Sequence, residues 1–444
     1  MADKTPFRVI IVGAGPVGLY LGYALGLANI DYVILERKES VPVNYGSIIY
    51  LWPQTARLFD QLQLLEPVQQ AAARMRNKKR TDGFTGNVLT TARFPEFMER
   101  RHGYPFFPIV RCDLLRILYN NLPDKETRIK TSSEVVAIET HSTGVQVHLK
   151  SGSVEDGSIV IGADGVHSKI RSELELLYKV AKGIDANVAP MMANFNGVIG
   201  RASNKDLRIE ENILFETRGT GTVIQCTATK KGDVHFATIT PVPDPKPAAR
   251  QSVTMQDVED HAASIGHVVV CRGVTFKDLW DNTDKNTVWK LNQEEGLLTH
   301  WHHDRIALVG DAVHKSTSQN GLGLNLGLHS AASLANELQS LLERDPSPVT
   351  SAIDQAFSRY QHTREDEVQF ILNMGRGMVR DSASKTWGTW LWTRLMLPWL
   401  DIESFGYGII TSLMMIRLGL VLLYVPFIGK QGSMAWKNKP LSAP

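Results

Sequence analysis

The residues whose types and spacing most clearly suggest chemistry are three glycines near the amino terminus and an acid downstream. Gly13, Gly15 and Gly18 have the spacing G-x-G-x-x-G, and Glu36 ends the next apolar run. In such a motif the first glycine permits a tight turn, the second lets the backbone approach a pyrophosphate, and the third allows close helix–strand packing. A carboxylate in the place of Glu36 can accept hydrogen bonds from a ribose. The pattern predicts a dinucleotide site, for FAD or NAD(P), rather than an ordinary glycine-rich turn.

The elements that must position these residues are a strand, a turn and a helix. Residues 8–12 form a β-branched apolar run typical of a buried parallel strand, and an apolar helical pattern begins at Pro16 or Val17. The start of such a helix presents unpaired N–H groups and a partial positive charge to phosphates. A second apolar run, 32–35, then leads to Glu36. The order strand, glycines, helix, strand and acid indicates a Rossmann-type unit.

Two further strand–turn sites follow. One apolar strand ends shortly before Asp164 and another shortly before Asp311. An acid at the carboxyl end of a strand faces the ligand crevice of a doubly wound sheet. Gly321 and Gly323 precede a long Leu/Ala-rich helix, where glycines let the backbone approach a ligand closely. Between these two sites, residues 190–290 alternate strand-like runs with polar loops, which predicts a second, β-rich domain.

Several cations and histidines have two readings. Arg111 lies where a short strand passes into a helix, so it could donate to a phosphate or flavin edge or form a structural ion pair. The basic segment 74–80, RMRNKKR, is most simply a solvated helix end, with a nicotinamide-cofactor phosphate or an acidic membrane surface as alternatives. The histidines at 300, 302 and 303 lack the spacing of metal ligands, so we predict no metal site. No general base is assigned; Tyr45, Tyr104 and His235 are more simply satisfied core or surface residues than pocket groups.

Composition excludes some classes of protein. A length of 444 residues predicts two or three domains, and a net charge of +2 argues against a nucleic-acid binder. The three cysteines are far apart, which indicates neither a disulfide framework nor a metal knuckle. The opening MADKTPFRV shows no signal peptide, so we expect the catalytic part to lie in the cytosol.

Taken together, three motifs resemble one enzyme family. GAGPVG with Glu36, GADGVHSKIR at 162–171 and LVGDAVHK at 308–315 resemble the single-component FAD-dependent monooxygenases of the para-hydroxybenzoate hydroxylase fold group, in order across about 7–345. Within that group the chain is most similar to the fungal secondary-metabolite branch, which includes indole-diterpene and meroterpenoid epoxidases. The resemblance implies an α/β fold: a Rossmann-type FAD-binding domain, an interleaved β-rich substrate domain and a C-terminal hydrophobic helical tail. The expected boundaries are 1–185 and 296–380 for the FAD-binding domain, 186–295 for the substrate domain and 381–444 for the tail.

The resemblance also implies roles for individual residues. Glu36 would bind the FAD ribose, Arg111 the flavin-side phosphate region, and Asp311 the ribitol. Asp164 would belong to a motif shared by FAD and the nicotinamide cofactor, and the backbone of 321–325 would face the isoalloxazine. The full set of predicted cofactor-binding residues is Gly13, Gly15, Gly18, Glu36, Arg37, Gly46, Ser47, Arg111, Asp164, Asp311, Gly321, Gly323, Leu324 and Asn325.

Two departures from the family pattern bear on the space above the flavin. Ser318 stands where the family usually has proline, and His329-Ser330 stands where it usually has Glu-Asp. The glycine frame and Asn325 are kept, so we expect flavin binding to be kept and the shape above the ring to differ. His329 is more simply a packed or capped histidine than a base.

The activity that the resemblance implies is oxygen transfer. NAD(P)H would reduce FAD, O2 would add at flavin C4a, and the hydroperoxide would epoxidise or hydroxylate a large apolar secondary metabolite that is prenylated, terpenoid or aromatic. An FAD-dependent dehydrogenase or reductase and a halogenase of the same fold are the alternatives, although Trp390-Leu391-Trp392 stops short of the halogenase motif W-x-W-x-I-P. A membrane-tethered nucleotide sensor without catalysis is a further alternative that no residue favours.

The carboxyl-terminal tail bears on location. Residues 405–427 are apolar except for Arg417 and are long enough to span a bilayer, and tryptophans typical of a membrane interface precede them. Lys430, Lys437 and Lys439 follow and favour a cytosolic carboxyl end. A full span would then place the flavin domain on the non-cytosolic side of the membrane, which conflicts with the missing signal peptide. We therefore expect a monotopic anchor or shallow hairpin on the cytosolic face of an intracellular membrane, with a soluble helical cap in the cytoplasm as the alternative.

Overall fold

The structure is a computed structural model that describes residues 6–41, 47–187, 189–247, 253–383 and 408–441, and the single residues 388, 391 and 395. The strands are β1 (Arg8–Val12), β2 (Asp31–Leu35), β3 (Ile48–Leu51), β4 (Asn77–Asp82), β5 (Val88–Ala92), β6 (Phe107–Val110), β7 (Ile129–Lys130), β8 (Val135–His141), β9 (Gly144–Leu149), β10 (Val154–Gly157), β11 (Ile159–Gly162), β12 (Met192–Ser203), β13 (Ile213–Arg218), β14 (Val223–Ala228), β15 (Asp233–Pro247), β16 (Val269–Cys271), β17 (Val274–Thr275), β18 (Trp289–Leu297), β19 (His302–His303), β20 (Ile306–Leu308) and β21 (His314–Lys315).

The α-helices are α1 (Pro16–Leu27), α2 (Pro53–Gln61), α3 (Leu65–Ala71), α4 (Phe94–His102), α5 (Arg111–Asn121), α6 (Lys125–Arg128), α7 (Lys169–Lys182), α8 (Met255–Ile265), α9 (Phe276–Asp281), α10 (Gly323–Arg344), α11 (Thr350–Ser382) and α12 (Gly408–Met414). Short 3₁₀ turns lie at Lys285–Thr287, Gly310–Ala312, Ser318–Asn320 and Ile416–Leu418.

A six-stranded sheet carries the amino-terminal glycine motif. Its strand order is β19-β20-β11-β1-β2-β7, and β1, β2, β7, β11 and β20 run parallel. The inner strands are apolar and almost fully buried, as expected for strands with both faces covered. Helices α1 and α10 pack against each other, and α10 packs on α11. Because parallel strands end at one edge, the loops after β1, β2, β11 and β20 meet there, which confirms the predicted doubly wound α/β architecture.

An eight-stranded sheet, ordered β21-β18-β12-β15-β14-β13-β4-β5, lies beside the first. Alternate residues of a strand face opposite ways. One face carries Phe215 and Phe236, which pack with Phe276 and Trp280 of α9 in a second hydrophobic core. The other face carries Gln225 on β14 and turns toward the large cavity described below. Strands β4 and β5 belong to this sheet although they lie within 1–185. The domain boundaries remain a prediction.

The basic segment 74–80 is not the solvated helix end that the sequence favoured. Asn77–Asp82 is strand β4, and the Lys78 and Arg80 side chains are almost fully buried against Glu216 of β13. Lys78 Nζ lies 2.9 Å and Arg80 Nε 3.2 Å from the Glu216 carboxylate. Burial alone would raise the pKa of Glu216, but the adjacent cations outweigh it and hold that pKa well below its usual range. The prediction was wrong because a charge run looks solvated in sequence when its partner lies in a distant strand.

The hydrophobic tail expected to be helical over 381–444 is helical only in part where it is described. Helix α12 ends at Met414, a 3₁₀ turn covers Ile416–Leu418, and the chain then continues without helix to residue 427. Among the described residues, no helix is both long enough and apolar enough to cross a membrane. The predicted tail residues between 384 and 407 lie almost entirely outside the described part of the chain.

Residues 408–441, which we term the C-terminal strap, pack on the FAD-binding half of the molecule. Leu422 N donates to Gln61 Oε1 at 2.8 Å, and Gln61 Nε2 donates back to Leu422 O at 2.7 Å. Met415, Ile416 and Trp436 are fully or almost fully buried. Part of the apolar run at 408–427 therefore packs against protein, while Ile410, Met414 and Leu423 remain about half exposed. The Gln61 side chain of α2 satisfies part of the irregular backbone.

Candidate active site

One cavity of about 890 Å³ lies between the carboxyl edge of the six-stranded sheet and the inner face of the eight-stranded sheet. Its lining residues come from many separate loops and strands. The predicted cofactor-binding residues that line it are Gly13, Gly15, Glu36, Arg37, Ser47, Arg111, Asp164, Asp311, Gly321, Gly323 and Leu324. Gly18 and Asn325 lie outside the lining, and Gly46 lies outside the described residues.

The glycine loop forms a cradle at the start of α1. Gly13 has a φ of +107°, and a Cβ there would come within 2.7 Å of Ala163 O. A Cβ on Gly18 would come within 2.0 Å of Gly13 O, so Gly18 serves the packing of the helix on the turn. Gly15 has no heavy atom within 4 Å of the place where a Cβ would stand. That open side, at the N-terminus of α1, leaves room for a phosphate beside unpaired N–H groups.

Glu36 is held at the end of β2 by the same loop. Its Oε2 accepts from Ala14 N at 2.9 Å, and its Oε1 accepts from Lys38 N at 3.0 Å. A carboxylate offers about four acceptor positions, so each oxygen keeps capacity for one more donor. The two backbone bonds fix the carboxylate at the cavity wall, and the remaining capacity suits the vicinal hydroxyls of a ribose.

Asp164 lies in the turn before α7, and its carboxylate accepts hydrogen bonds mainly from the start of that helix. Its carboxylate accepts from Ser168 Oγ at 2.5 Å, Lys169 N at 2.7 Å and Ile170 N at 3.2 Å. Burial raises the pKa of Asp164, and these hydrogen bonds oppose the rise. The side chain thus satisfies the first turn of α7 and fixes the turn after β11. Its predicted cofactor role remains a prediction.

Asp311 is paired with a lysine that sequence reasoning missed. Lys315 Nζ lies 2.5 Å from Asp311 Oδ2, and Glu294 of β18 is almost fully buried nearby. Burial disfavours the Lys315 ammonium, but the carboxylates of Asp311 and Glu294 outweigh it and raise the pKa of Lys315. The only sequence signal for this pair was the four-residue separation within the GDAVHK motif. Lys315 contacts Oδ2 of Asp311. The other oxygen, Oδ1, lies near the start of α10, 4.0 Å from where a Cβ on Gly323 would stand.

Arg111 begins α5 at the cavity wall. Its backbone N–H donates to Ser47 O at 3.0 Å, which ties two predicted residues together. Within the part of the chain that the structure describes, its guanidinium forms no ion pair; the neighbouring Asp113 pairs instead with Arg116 at 2.6 Å and Lys231 at 3.3 Å. The arrangement favours a ligand for Arg111 over the structural ion pair.

FAD fits this set of residues. The glycine cradle, the carboxylates of Glu36 and Asp311 and the Arg111 guanidinium line one continuous space. Among the described residues, the buried Thr317 hydroxyl on the same wall has no hydrogen-bond partner. These residues provide places for an adenosine ribose, a pyrophosphate and a polyhydroxyl chain in sequence.

Comparison with known proteins decides the family. A model of the FAD binding domain family matches residues 6–369. The FAD-dependent monooxygenase srdH of Neurospora crassa is 47% identical over 445 residues, covering 98% of this chain and 99% of that protein. The chain belongs to the FAD-dependent monooxygenases. The monooxygenase penM of Penicillium crustosum is 30% identical over 389 residues, 86% of this chain and 80% of that one.

Solved structures show the same fold at lower identity. Klebsiella pneumoniae HpxO, complexed with FAD and uric acid, matches with a TM-score of 0.75 at 19% identity, over 93% of this chain and 98% of that one. The tetracycline destructase Tet(51) matches with a TM-score of 0.68 at 17% identity, over 93% and 99%. At these identities the likeness supports the fold of the monooxygenase and nothing finer.

Asn325 acts in the monooxygenase as a brace behind the cavity. Its Nδ2 donates to Tyr50 O at 2.9 Å and to Gly321 O at 2.7 Å, and its Oδ1 accepts from Trp52 N at 3.1 Å. The side chain is 1% exposed. These bonds join the start of α10 to β3 and to the Gly321 turn, so Asn325 positions lining residues rather than lining the cavity itself.

The two histidines and two tyrosines considered from sequence lie in different places. His235 lines the cavity of the monooxygenase from β15, and burial lowers its pKa to about 4, so it is neutral at pH 7. His329 lies outside the lining, and its Nδ1 accepts from Leu420 N at 3.1 Å, which confirms a packed histidine. Tyr104 does not line the cavity; its hydroxyl donates to Asp60 Oδ2 at 2.6 Å. Tyr45 lies outside the described residues. Over the described ranges, no group of His, Cys, Asp and Glu is arranged to hold a metal ion.

Proposed function

We propose that this monooxygenase uses NAD(P)H and O2 to insert one oxygen atom into a large apolar secondary metabolite, by epoxidation or hydroxylation. The balance is substrate, O2, NAD(P)H and a proton giving oxygenated substrate, water and NAD(P)⁺. The observation that carries the proposal is the cavity's second wall. Beyond the predicted cofactor residues, the eight-stranded sheet contributes apolar side chains from Ile199, Ala237 and Leu291, with a few polar groups among them.

When bound, FAD supplies the electron transfer and the activation of dioxygen that side chains alone cannot provide. The chain's own residues hold the cofactor and shape the space around it. Glu36 would bind the ribose, the cradle at Gly15 the pyrophosphate, and Asp311 the ribitol. The N-terminus of α10, which starts at Gly323 without a side-chain cap, would present backbone N–H groups to the flavin ring and would favour negative charge there.

The sheet wall would hold the substrate and exclude water from the reaction space. Neutral His235 can donate one hydrogen bond and accept another, which suits a single hydroxyl, carbonyl or ring N–H on an otherwise apolar molecule. A membrane-derived or prenylated substrate would bury most of its surface against this wall. Several relatives are FAD-dependent monooxygenases of Penicillium, including paxM of Penicillium paxilli at 30% identity.

Isotope labelling tests the proposed reaction. The purified protein is incubated with FAD, NADPH and a panel of prenylated, terpenoid and aromatic compounds under ¹⁸O2, and products are analysed by mass spectrometry. We expect a product heavier by one ¹⁸O atom. Oxidation of NADPH that proceeds equally well without O2 would instead indicate a dehydrogenase or reductase.

We also propose that the protein works on the cytosolic face of an intracellular membrane. The sequence 385–400 contains Trp387, Trp390, Trp392 and Trp399, and tryptophan is enriched at membrane interfaces. In α12, which follows, Ile410 is 50% and Met414 51% exposed. Flotation of the full chain with phosphatidylcholine–phosphatidylserine vesicles tests this, with Trp390→Ser/Trp392→Ser as the variant. Equal recovery of wild type and variant in the vesicle-free fraction would refute it.

A further inference from the structure

The loop between β21 and α10 borders the cavity between its two walls. Thr317, Ser318, Gly321 and Gly323 all line the cavity, and residues Ser318–Asn320 form a single 3₁₀ turn. On one side the loop continues into α10, whose start we assign to the flavin end. On the other side it meets the inner face of the eight-stranded sheet. Its position therefore sets the separation between cofactor and substrate walls.

A glutamine of the sheet caps the first residue of this turn. Gln293 on β18 is 3% exposed, and its Oε1 accepts both Ser318 N at 2.9 Å and Ser318 Oγ at 2.9 Å. The N–H at the start of a helical turn has no partner within the turn. Gln293 supplies that partner from β18, the strand that pairs with β21 just before the loop, and its Oε1 accepts from the serine hydroxyl as well.

A second glutamine holds the next residue. Gln225 on β14 is 5% exposed, and its Nε2 donates to Gln319 O at 2.9 Å and to Glu216 Oε2 at 2.8 Å. Gln319 Nε2 in turn donates to Ser382 Oγ at 2.8 Å. Consecutive loop residues are thus tied to two strands of the same sheet and to the end of α11.

We propose that Gln293 and Gln225 are positioning residues for oxygen transfer, because they fix the 318–321 loop, and with it the flavin end of the cavity, against the substrate wall. The proposal rests on the monooxygenase function proposed above. It also gives a physical reason for serine at 318. Proline at the first position of a helical turn has no N–H and needs no acceptor, whereas serine there needs one, and Gln293 provides it.

A double-mutant cycle tests the tie itself. In Gln293→Leu the Ser318 N–H and hydroxyl lose their acceptor, and in Ser318→Pro the Gln293 Oε1 loses both donors. In the double variant neither group is left unpaired. We expect each single variant to lower the melting temperature of the FAD-free protein and the double variant to be no lower than the worse single variant. Additive losses would overturn the pairing, whatever the protein's reaction turns out to be.

The catalytic consequence is measured as coupling, the product formed per NAD(P)H oxidised, together with hydrogen peroxide released. We expect Gln293→Leu and Gln225→Leu each to lower coupling at least threefold while the Kd for FAD changes less than twofold. Gln293→Glu keeps an acceptor for both groups and should restore coupling to within twofold of wild type. Gln146→Leu, which removes a half-buried glutamine bonded to Asp156 on a separate sheet, is the matched control.

Wild-type coupling in both leucine variants would overturn the positioning role even if the stability cycle succeeds. A loss of coupling that Gln293→Glu fails to restore would also contradict it, because the acceptor would then not be what matters. If no compound in the panel is oxygenated by the wild type, the proposed function fails, while the melting-temperature cycle still decides whether the loop is tied as described.

Discussion

The buried carboxylate of Glu216 offers the sharpest test of how the substrate sheet is held together. It is fully buried. Its Oε2 contacts Lys78 Nζ at 2.9 Å and accepts from Gln225 Nε2 at 2.8 Å, and its Oε1 contacts Arg80 Nε at 3.2 Å. Glu216→Gln keeps the size and most of the acceptor geometry but removes the negative charge. Lys78 and Arg80, both almost fully buried, would then lose the carboxylate that they share.

Removing one partner from a buried ion pair costs about 3–5 kcal/mol of unfolding free energy. With an unfolding entropy of about 2.1 cal/mol/K per residue over the chain, this corresponds to a melting temperature lower by about 3–6 °C. The lowered pKa of Glu216 adds a pH dependence. Its contribution is fully present above the unfolded-state pKa of about 4.3 and is lost as the pH falls toward the folded-state value. The difference between wild type and Glu216→Gln should therefore shrink below about pH 4.

Circular dichroism during thermal and urea unfolding measures the effect, at pH 7 and at pH 3.5. The matched control is Glu210→Gln, which removes the partner of Lys79 on the opposite face of β4; Glu210 is 64% exposed in its side chain, and the pair lies at 2.8 Å. An exposed pair of this kind contributes about 0–1 kcal/mol. If Glu216→Gln costs no more than Glu210→Gln, or if its cost is independent of pH, the account of this cluster is wrong.

Two further predictions concern the cofactor and the C-terminal strap. Glu36→Ala and Asp311→Ala should each weaken FAD binding about tenfold or more, since losing a charged acceptor costs about 1.5–3 kcal/mol; fluorescence titration of the apoprotein measures this, and unchanged Kd values in both would refute the assignment. Ending the chain at residue 407 should abolish cooperative unfolding of the apoprotein, because several side chains such as Trp436 each lose about 1.5–3 kcal/mol of burial. A truncated chain that melts like the full-length protein would show that the strap is dispensable.

The parts of the site that could be predicted from sequence are those set by local pattern. The turn after β1 needs glycine at 13 because φ is +107°, and Glu36 follows directly on a strand whose end is marked by its own apolar run. The parts that could not be predicted depend on partners far away in sequence. The sequence around Lys78 does not indicate that Glu216 is its partner, and the sequence around Ser318 does not indicate Gln293.

The C-terminal strap illustrates the same limit in the apolar residues. A run of leucine, isoleucine and methionine has the same composition whether it faces lipid or packs on protein. What distinguishes the two cases is whether side chains such as Gln61 and Asn336 are placed to satisfy the irregular backbone; Asn336 Nδ2 donates to Val421 O and its Oδ1 accepts from Leu423 N, both at 2.9 Å. Asn336 lies in α10, 85 residues before Val421, and Gln61 lies in α2, 361 residues before Leu422.

We propose that this cavity holds FAD beside an apolar substrate and that one atom of O2 is transferred to that substrate. Single-turnover oxidation of the FAD-loaded, NADPH-reduced protein under ¹⁸O2, in the presence of the substrate found in the panel, measures that step directly. We expect one ¹⁸O atom per product molecule in wild type. If the product is unlabelled and the ¹⁸O is recovered as H2¹⁸O2, oxygen transfer to the substrate is contradicted.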